Sequence, residues 1–122
     1  MDAIRRLEQD FEWVVVTARS EHARPVTESW LMQHFGKVPG VRMRPHWSET
    51  PAQFKTREVA LLSPVAHFED DPFTASWLAE LGTEVMLVDW PRNAQLSAAH
   101  VTRVGGVGEG VSVVARRLAE TA

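Results

Sequence analysis

Apolar positions in this chain fall into short solid blocks separated by longer, helically spaced stretches. Residues 13–16, Trp-Val-Val-Val, form an apolar run without alternation. A strand of that kind has both faces covered, which is the habit of parallel sheets packed between helices. The blocks at 65–68 and 85–88 predict two further strands, and 41–44 and 101–104 predict two more. Between the blocks the spacing changes to three and four. Ile4, Leu7 and Phe11 predict a helix over 2–10. Val26, Trp30 and Phe35, with Leu31 beside them, mark the apolar side of a helix over 24–35, with Pro25 near its start and Gly36 as its stop. Val38-Pro39-Gly40 is a turn and 45–49 a loop. Thr50-Pro51-Ala52-Gln53 is the clearest helix start: Thr50 caps, Pro51 takes the first helical position and Gln53 closes a capping box. Phe54, Leu61 and Leu62 predict the buried side of that helix. A helix over 72–81 carries Phe73, Trp77, Leu78 and Leu81, ended by Gly82. Val111, Val114 and Leu118 predict a last helix.

Strand and helix signals alternate from end to end. The expectation is one α/β domain over 1–122, a three-layer, Rossmann-like and mostly parallel sheet flanked by helices. Residues 105–122 read as a C-terminal extension. Their glycines, Gly105, Gly106, Gly108 and Gly110, read as a flexible or tightly turning link. They lack the GxxxxGK[ST] pattern of a phosphate loop and are not expected to open directly onto a helix after a strand, as a dinucleotide site does.

Composition narrows the function classes. The 122 residues carry a formal net charge of -3, which argues against generic nucleic-acid binding through a basic surface. There is no cysteine, which excludes disulfide and thiol chemistry and fits a cytoplasmic protein. The apolar run at 13–16 is far too short to cross a membrane, and the N-terminus shows no signal peptide. The five histidines have no metal-ligand spacing such as HExxH.

The candidate chemistry gathers at predicted strand ends. Thr17 and Arg19 end the first strand. Glu69, Asp70 and Asp71 end the block at 65–68, and Pro72 follows. Asp71 reads as a helix N-cap with Pro72 next to it. Asp89, Arg92 and Asn93 follow the block at 85–88, and Lys55 lies one turn into the capped helix. In a parallel sheet, strand carboxyl ends open onto one edge. A hydroxyl, a lysine and paired carboxylates there suit a phosphate with a divalent cation: the first two neutralise and orient phosphoryl oxygens, and the carboxylates hold Mg²⁺. Each group also has a plain structural role open to it: a loop hydrogen bond, a solvated helix position or an ion pair.

Residues 13–19, Lys55 and residues 68–71 resemble motifs II, III and IV of the haloacid dehalogenase-like (HAD) phosphatases, in particular the phosphatase domain of polynucleotide kinases. Residues 41–45 are similar to the strand and arginine loop that precede the lysine helix there. The resemblance implies Thr17 as a phosphate-binding hydroxyl with Arg19 close by, Lys55 as the lysine steadying nucleophile and phosphate, and Asp70 and Asp71 as the acidic pair on Mg²⁺. It implies Thr17, Lys55 and Asp70 as the catalytic set. The family's first motif, a strand ending in Asp-x-Asp, has no counterpart: Asp2 follows no strand and Asp10 follows no apolar run. In the family that strand lies at the centre of the sheet, between those ending at Thr17 and Asp70.

The reading that follows is a truncated or degenerate HAD-like domain. It keeps a phosphate and Mg²⁺ pocket without an aspartate nucleophile and is inactive alone. Its partners would be a phosphorylated small molecule or nucleic-acid end, and a second copy or a strand-donating chain, with no membrane. Two alternatives are an active Mg²⁺-dependent phosphomonoester hydrolase on nucleotide or polynucleotide ends, and a non-catalytic interaction domain. The centre of the sheet could be closed by direct pairing of its two flanking strands, by residues 101–104 or 111–115, or by another chain.

Overall fold

The computed structural model describes residues 11–45 and 49–121, so the helix expected over 2–10 lies outside the described residues. Strand β1, Val14–Ser20, pairs in parallel with β2, Gly40–Arg44; Val14 stands opposite Gly40 and Thr17 opposite Met43, with a register slip between Thr17 and Ser20. Helix α1, Arg24–Phe35, connects them. Helix α2, Pro51–Leu62, leads from β2 to β3, His67–Glu69. Helix α3, Pro72–Glu80, leads to β4, Val85–Val88, and a loop with a short 3₁₀ turn, Pro91–Asn93, leads to β5, Val101–Val104. Helix α4, Val107–Thr121, closes the chain. This is the expected α/β fold of parallel strands alternating with helices. Among the described residues the strands form two parallel sheets, β1-β2 and β3-β4-β5. No described helix is long and apolar enough to cross a membrane.

Side-chain alternation along the central strand β4 builds the layers. Val85 and Leu87 point to one face, where they join Val59 of α2 and Ala75 and Leu78 of α3 in one buried cluster. Met86 and Val88 point to the other, where they meet Phe68, Val104 and, on α4, Val114 and Leu118. Each fully buried Leu or Phe contributes on the order of 1.5–3 kcal/mol relative to exposure; Leu78, Leu87 and Phe54 are all at 0% exposure. Helix α4 approaches the sheet closely only because residue 110 is glycine: a Cβ there would lie 2.3 Å from Phe68 Cε1.

Local signals hold well where backbone chemistry sets them. Thr50 accepts from Gln53 N and donates its own backbone N–H to Gln53 Oε1, the full capping box. Gly36 and Gly82 adopt left-handed conformations just past helix ends, where glycine carries no steric cost.

Several sequence expectations need correction. In α1 the buried residues are Thr27 and Leu31, while Val26 and Trp30 are exposed. In α2 Phe54 is buried as expected, but its inward companion is Val59, and Leu61 is exposed. In α3 Leu78 is buried, but Phe73, Trp77 and Leu81 all face outward. In α3 the inward stripe is taken by Thr74, Ala75, Leu78 and Ala79, mostly small side chains, so the large apolar groups at neighbouring positions turn away. The strand read at 65–68 begins two residues later and ends one residue later, at Glu69, which is drawn into the strand and buried at 5% exposure. The glycine stretch opens directly onto a helix: β5 ends at Val104 and α4 begins at Val107. Gly105 N donates to Glu109 Oε2 at 2.6 Å, so the helix's own carboxylate takes up that amide.

Candidate functional site

The carboxyl edge of β3 and β4 gathers most of the predicted polar residues, and the pleat decides their roles. Glu69 stands opposite Leu87 on the β3–β4 ladder, so it shares the face covered by α2 and α3. Lys55, one turn into α2, reaches across with Nζ 3.2 Å from Glu69 Oε2. The same oxygen accepts backbone N–H bonds from Asp70 (3.3 Å) and Asp71 (3.1 Å). Glu69 Oε1 accepts from His67 Nε2 at 3.0 Å. Burial by itself would raise the Glu69 carboxyl, but the His67 hydrogen bond, the Lys55 and His67 charges and the Asp71 amide together hold it below the ordinary carboxylate range. Glu69 is therefore an ionised, fully engaged anchor that orders the turn carrying the next two acids.

Those two acids differ. Asp71 caps α3: Oδ2 accepts from Thr74 N at 2.9 Å and from Thr74 Oγ1 at 2.7 Å. The N-cap expectation holds. Its second oxygen, Oδ1, faces Arg92 Nη2 at 3.5 Å. Asp70 is exposed; its backbone carbonyl accepts from Asn93 Nδ2, and its carboxylate bonds to no side chain among the described residues.

Asn93, read from the sequence only as one of the polar groups after the block at 85–88, is the organiser of this edge. It is 1% exposed. Its Nδ2 donates to Asp70 O and Val88 O, and its Oδ1 accepts from Trp90 N and from Arg103 Nη1. Arg103, which sequence reading did not single out, donates besides to Asp89 Oδ1, Asn93 O and Leu96 O. Asp89 is thereby an ion-pair partner. The Arg92 guanidinium lies 5.3 Å above the Trp90 ring, so that indole already carries a cation. The available signal was position: an amide five residues beyond the end of a buried strand, within reach of the neighbouring strand's turn.

Thr17 and Arg19 end β1 in the other sheet. Thr17 Oγ1 accepts from Arg19 N at 3.2 Å, and Arg19 Nη1 donates to Thr27 Oγ1 on α1. No hydrogen bond or ion pair joins either residue to Lys55 or to the acids. The structure thus brings Lys55, Glu69, Asp70, Asp71 and Arg92 together and leaves Thr17 and Arg19 bonded on their own side. Among the described residues no three His, Cys, Asp or Glu side chains converge as a metal-holding group. Mg²⁺, however, is commonly held by one or two carboxylates and several waters. Of the two acids the Asp70 carboxylate is open, while Asp71 Oδ1 faces the Arg92 guanidinium.

Comparison with protein-family profiles, curated proteins and solved structures finds no match for this chain.

Proposed function

We propose that this chain is a phosphate-binding domain of the HAD-like type that holds a Mg²⁺–phosphate ligand at the carboxyl edge of β3 and does not hydrolyse it alone. The observation that carries the reading is the shared Glu69 oxygen: it links the Lys55 ammonium to the backbone of both motif-like acids. Asp70 and Asp71 Oδ1 would hold the cation. Arg92, largely exposed beside Asp71, would meet phosphoryl oxygens, with Lys55 supplying positive charge behind the turn. Covalent catalysis needs a nucleophile with a separate acid or base near it. Here Glu69 is buried and fully bonded, Asp89 is paired with Arg103 and Asp71 caps a helix. Only Asp70 is open, which favours binding over turnover.

Isothermal titration of the full chain with Mg²⁺, then with inorganic phosphate in its presence, tests the proposal. Saturable binding lost in Asp70→Asn and in Lys55→Met, with circular dichroism unchanged, is the expected result. A flat titration of the unaltered chain overturns it. Turnover of nitrophenyl phosphate abolished by both Asp70→Ala and Lys55→Ala would replace it with the hydrolase reading.

A further inference from the structure

The two parallel sheets are parts of one layer. Helix α2 leaves the carboxyl end of β2, and its first-turn Lys55 bonds Glu69 at the carboxyl end of β3. Both strands therefore end on the same side, and β3 runs in the direction of β1 and β2. Farther along α2, Val59 belongs to the buried cluster of α3 and β4, and Val16 of β1 packs on that same cluster. One helical layer thus roofs both sheets, with β1 and β3 as their neighbouring members and β2 and β5 outermost.

Yet no ladder joins β1 to β3. Among the described residues, β1 has no backbone bond beyond its pairing with β2, and β3 has none beyond its pairing with β4 apart from helix and turn contacts. Inner-edge amides and carbonyls left without partners cost free energy wherever water is displaced from them.

The residue chemistry treats the inner and outer edges differently. Edge strands that remain open are usually guarded by charge, proline or bulges. The outer strands follow this rule: β2 carries Arg42 and Arg44, and β5 carries Arg103. On the inner side such guards appear only toward the end of β1, in its register slip after Thr17 and in Arg19. From Val14 to Ala18, β1 has no charge and no proline, and the one acid of β3 is turned under the roof and bonded to Lys55. Val14, Val15 and Val16 are only half-buried, although so solid an apolar run is the mark of a strand covered on both faces. Neither segment that sequence reading considered for closing the sheet does so: 101–104 lies on the far side of β4, and 111–115 is inside α4.

We infer that the adjoining edges of β1 and β3 take an additional strand from a second polypeptide, an extended, uncharged, β-branched segment that bonds both edges and joins the two sheets into one. Backbone hydrogen bonding supplies the affinity, and alternate apolar side chains beneath α2 supply the fit, as in other strand-addition complexes. The inference is independent of any phosphate ligand, because a chain that binds none still carries the two unpaired edges.

A tethered probe tests it. The full chain is fused at its N-terminus, through a long Gly/Ser linker, to the strand Val-Thr-Val-Val-Val-Thr; tethering raises the effective concentration to the millimolar range. Amide hydrogen exchange is then read residue by residue, with β4 amides as the control for an intact fold. The expected result is at least ~10-fold slower exchange on the inner edges of both β1 and β3, absent when the fused strand is Ala-Glu-Ala-Lys-Ala-Glu or carries a central proline. Unchanged exchange at either edge overturns the inference. So does finding, in the unfused chain, that both edges are already as protected as β4.

Discussion

The Lys55 ammonium and the Glu69 carboxylate, 14 residues apart in sequence, meet at 3.2 Å with Glu69 buried and Lys55 partly so. The contact ties the first turn of α2 to the end of β3, and so fixes where the following acids stand. It also reassigns the charge: the partner of the lysine is the acid inside the strand, not one of the two beyond it.

Glu69→Gln should destabilise the chain by about 2 kcal/mol, the scale of lost charge-assisted hydrogen bonds at a buried site. Urea denaturation at neutral pH measures it. An effect within ~0.5 kcal/mol, the range typical of surface changes, would show that the contact is structurally idle.

The lowered Glu69 pKa has a signed consequence. A carboxyl depressed in the folded state binds fewer protons there than in the unfolded chain, so its contribution is full above the unfolded value of about 4.3 and fades as pH falls through the lower folded value. The stability gap between the native chain and Glu69→Gln should be constant from pH 7 to about 5 and shrink in the acid range below that. Denaturation midpoints across this range give the answer, and a gap independent of pH refutes the assignment.

Asn93→Ala should cost about 2–4 kcal/mol, because it leaves the Asp70 and Val88 carbonyls without their amide donor and removes the acceptor for Trp90 N and Arg103. Proteolysis should also reach the 89–96 loop sooner in this variant. A loop as resistant as before would mean that Arg103 alone holds it.

Gly110→Ala should destabilise by about 1–3 kcal/mol despite alanine's better helix propensity, since the new methyl meets the Phe68 ring. Thermal unfolding of Gly110→Ala beside the double variant with Phe68→Leu separates the causes. Partial recovery in the double variant identifies the ring as the obstacle.

The sequence by itself determined what lies within a few residues of each position. The capping box at Thr50, the Asp71 cap with Pro72, the stop at Gly36, the strands at 85–88 and 101–104 and the αβ alternation all depend on backbone geometry and hydrogen bonds inside one turn, and side-chain type reports those directly. Tertiary structure decided what depends on neighbours distant in the chain. Periodicity marked Trp30, Leu61, Phe73 and Trp77 as apolar along with Leu31 and Leu78, but only packing against the rest of the fold selected Leu31, Val59 and Leu78 for burial. Moving the end of β3 from 68 to 69 placed Glu69 inside the strand and made it the partner of Lys55, leaving Asp70 open. The division of the strands into two sheets is likewise a matter of which edges meet, and edge pairing is set by backbone groups that every residue carries, so no local pattern of side chains encodes it.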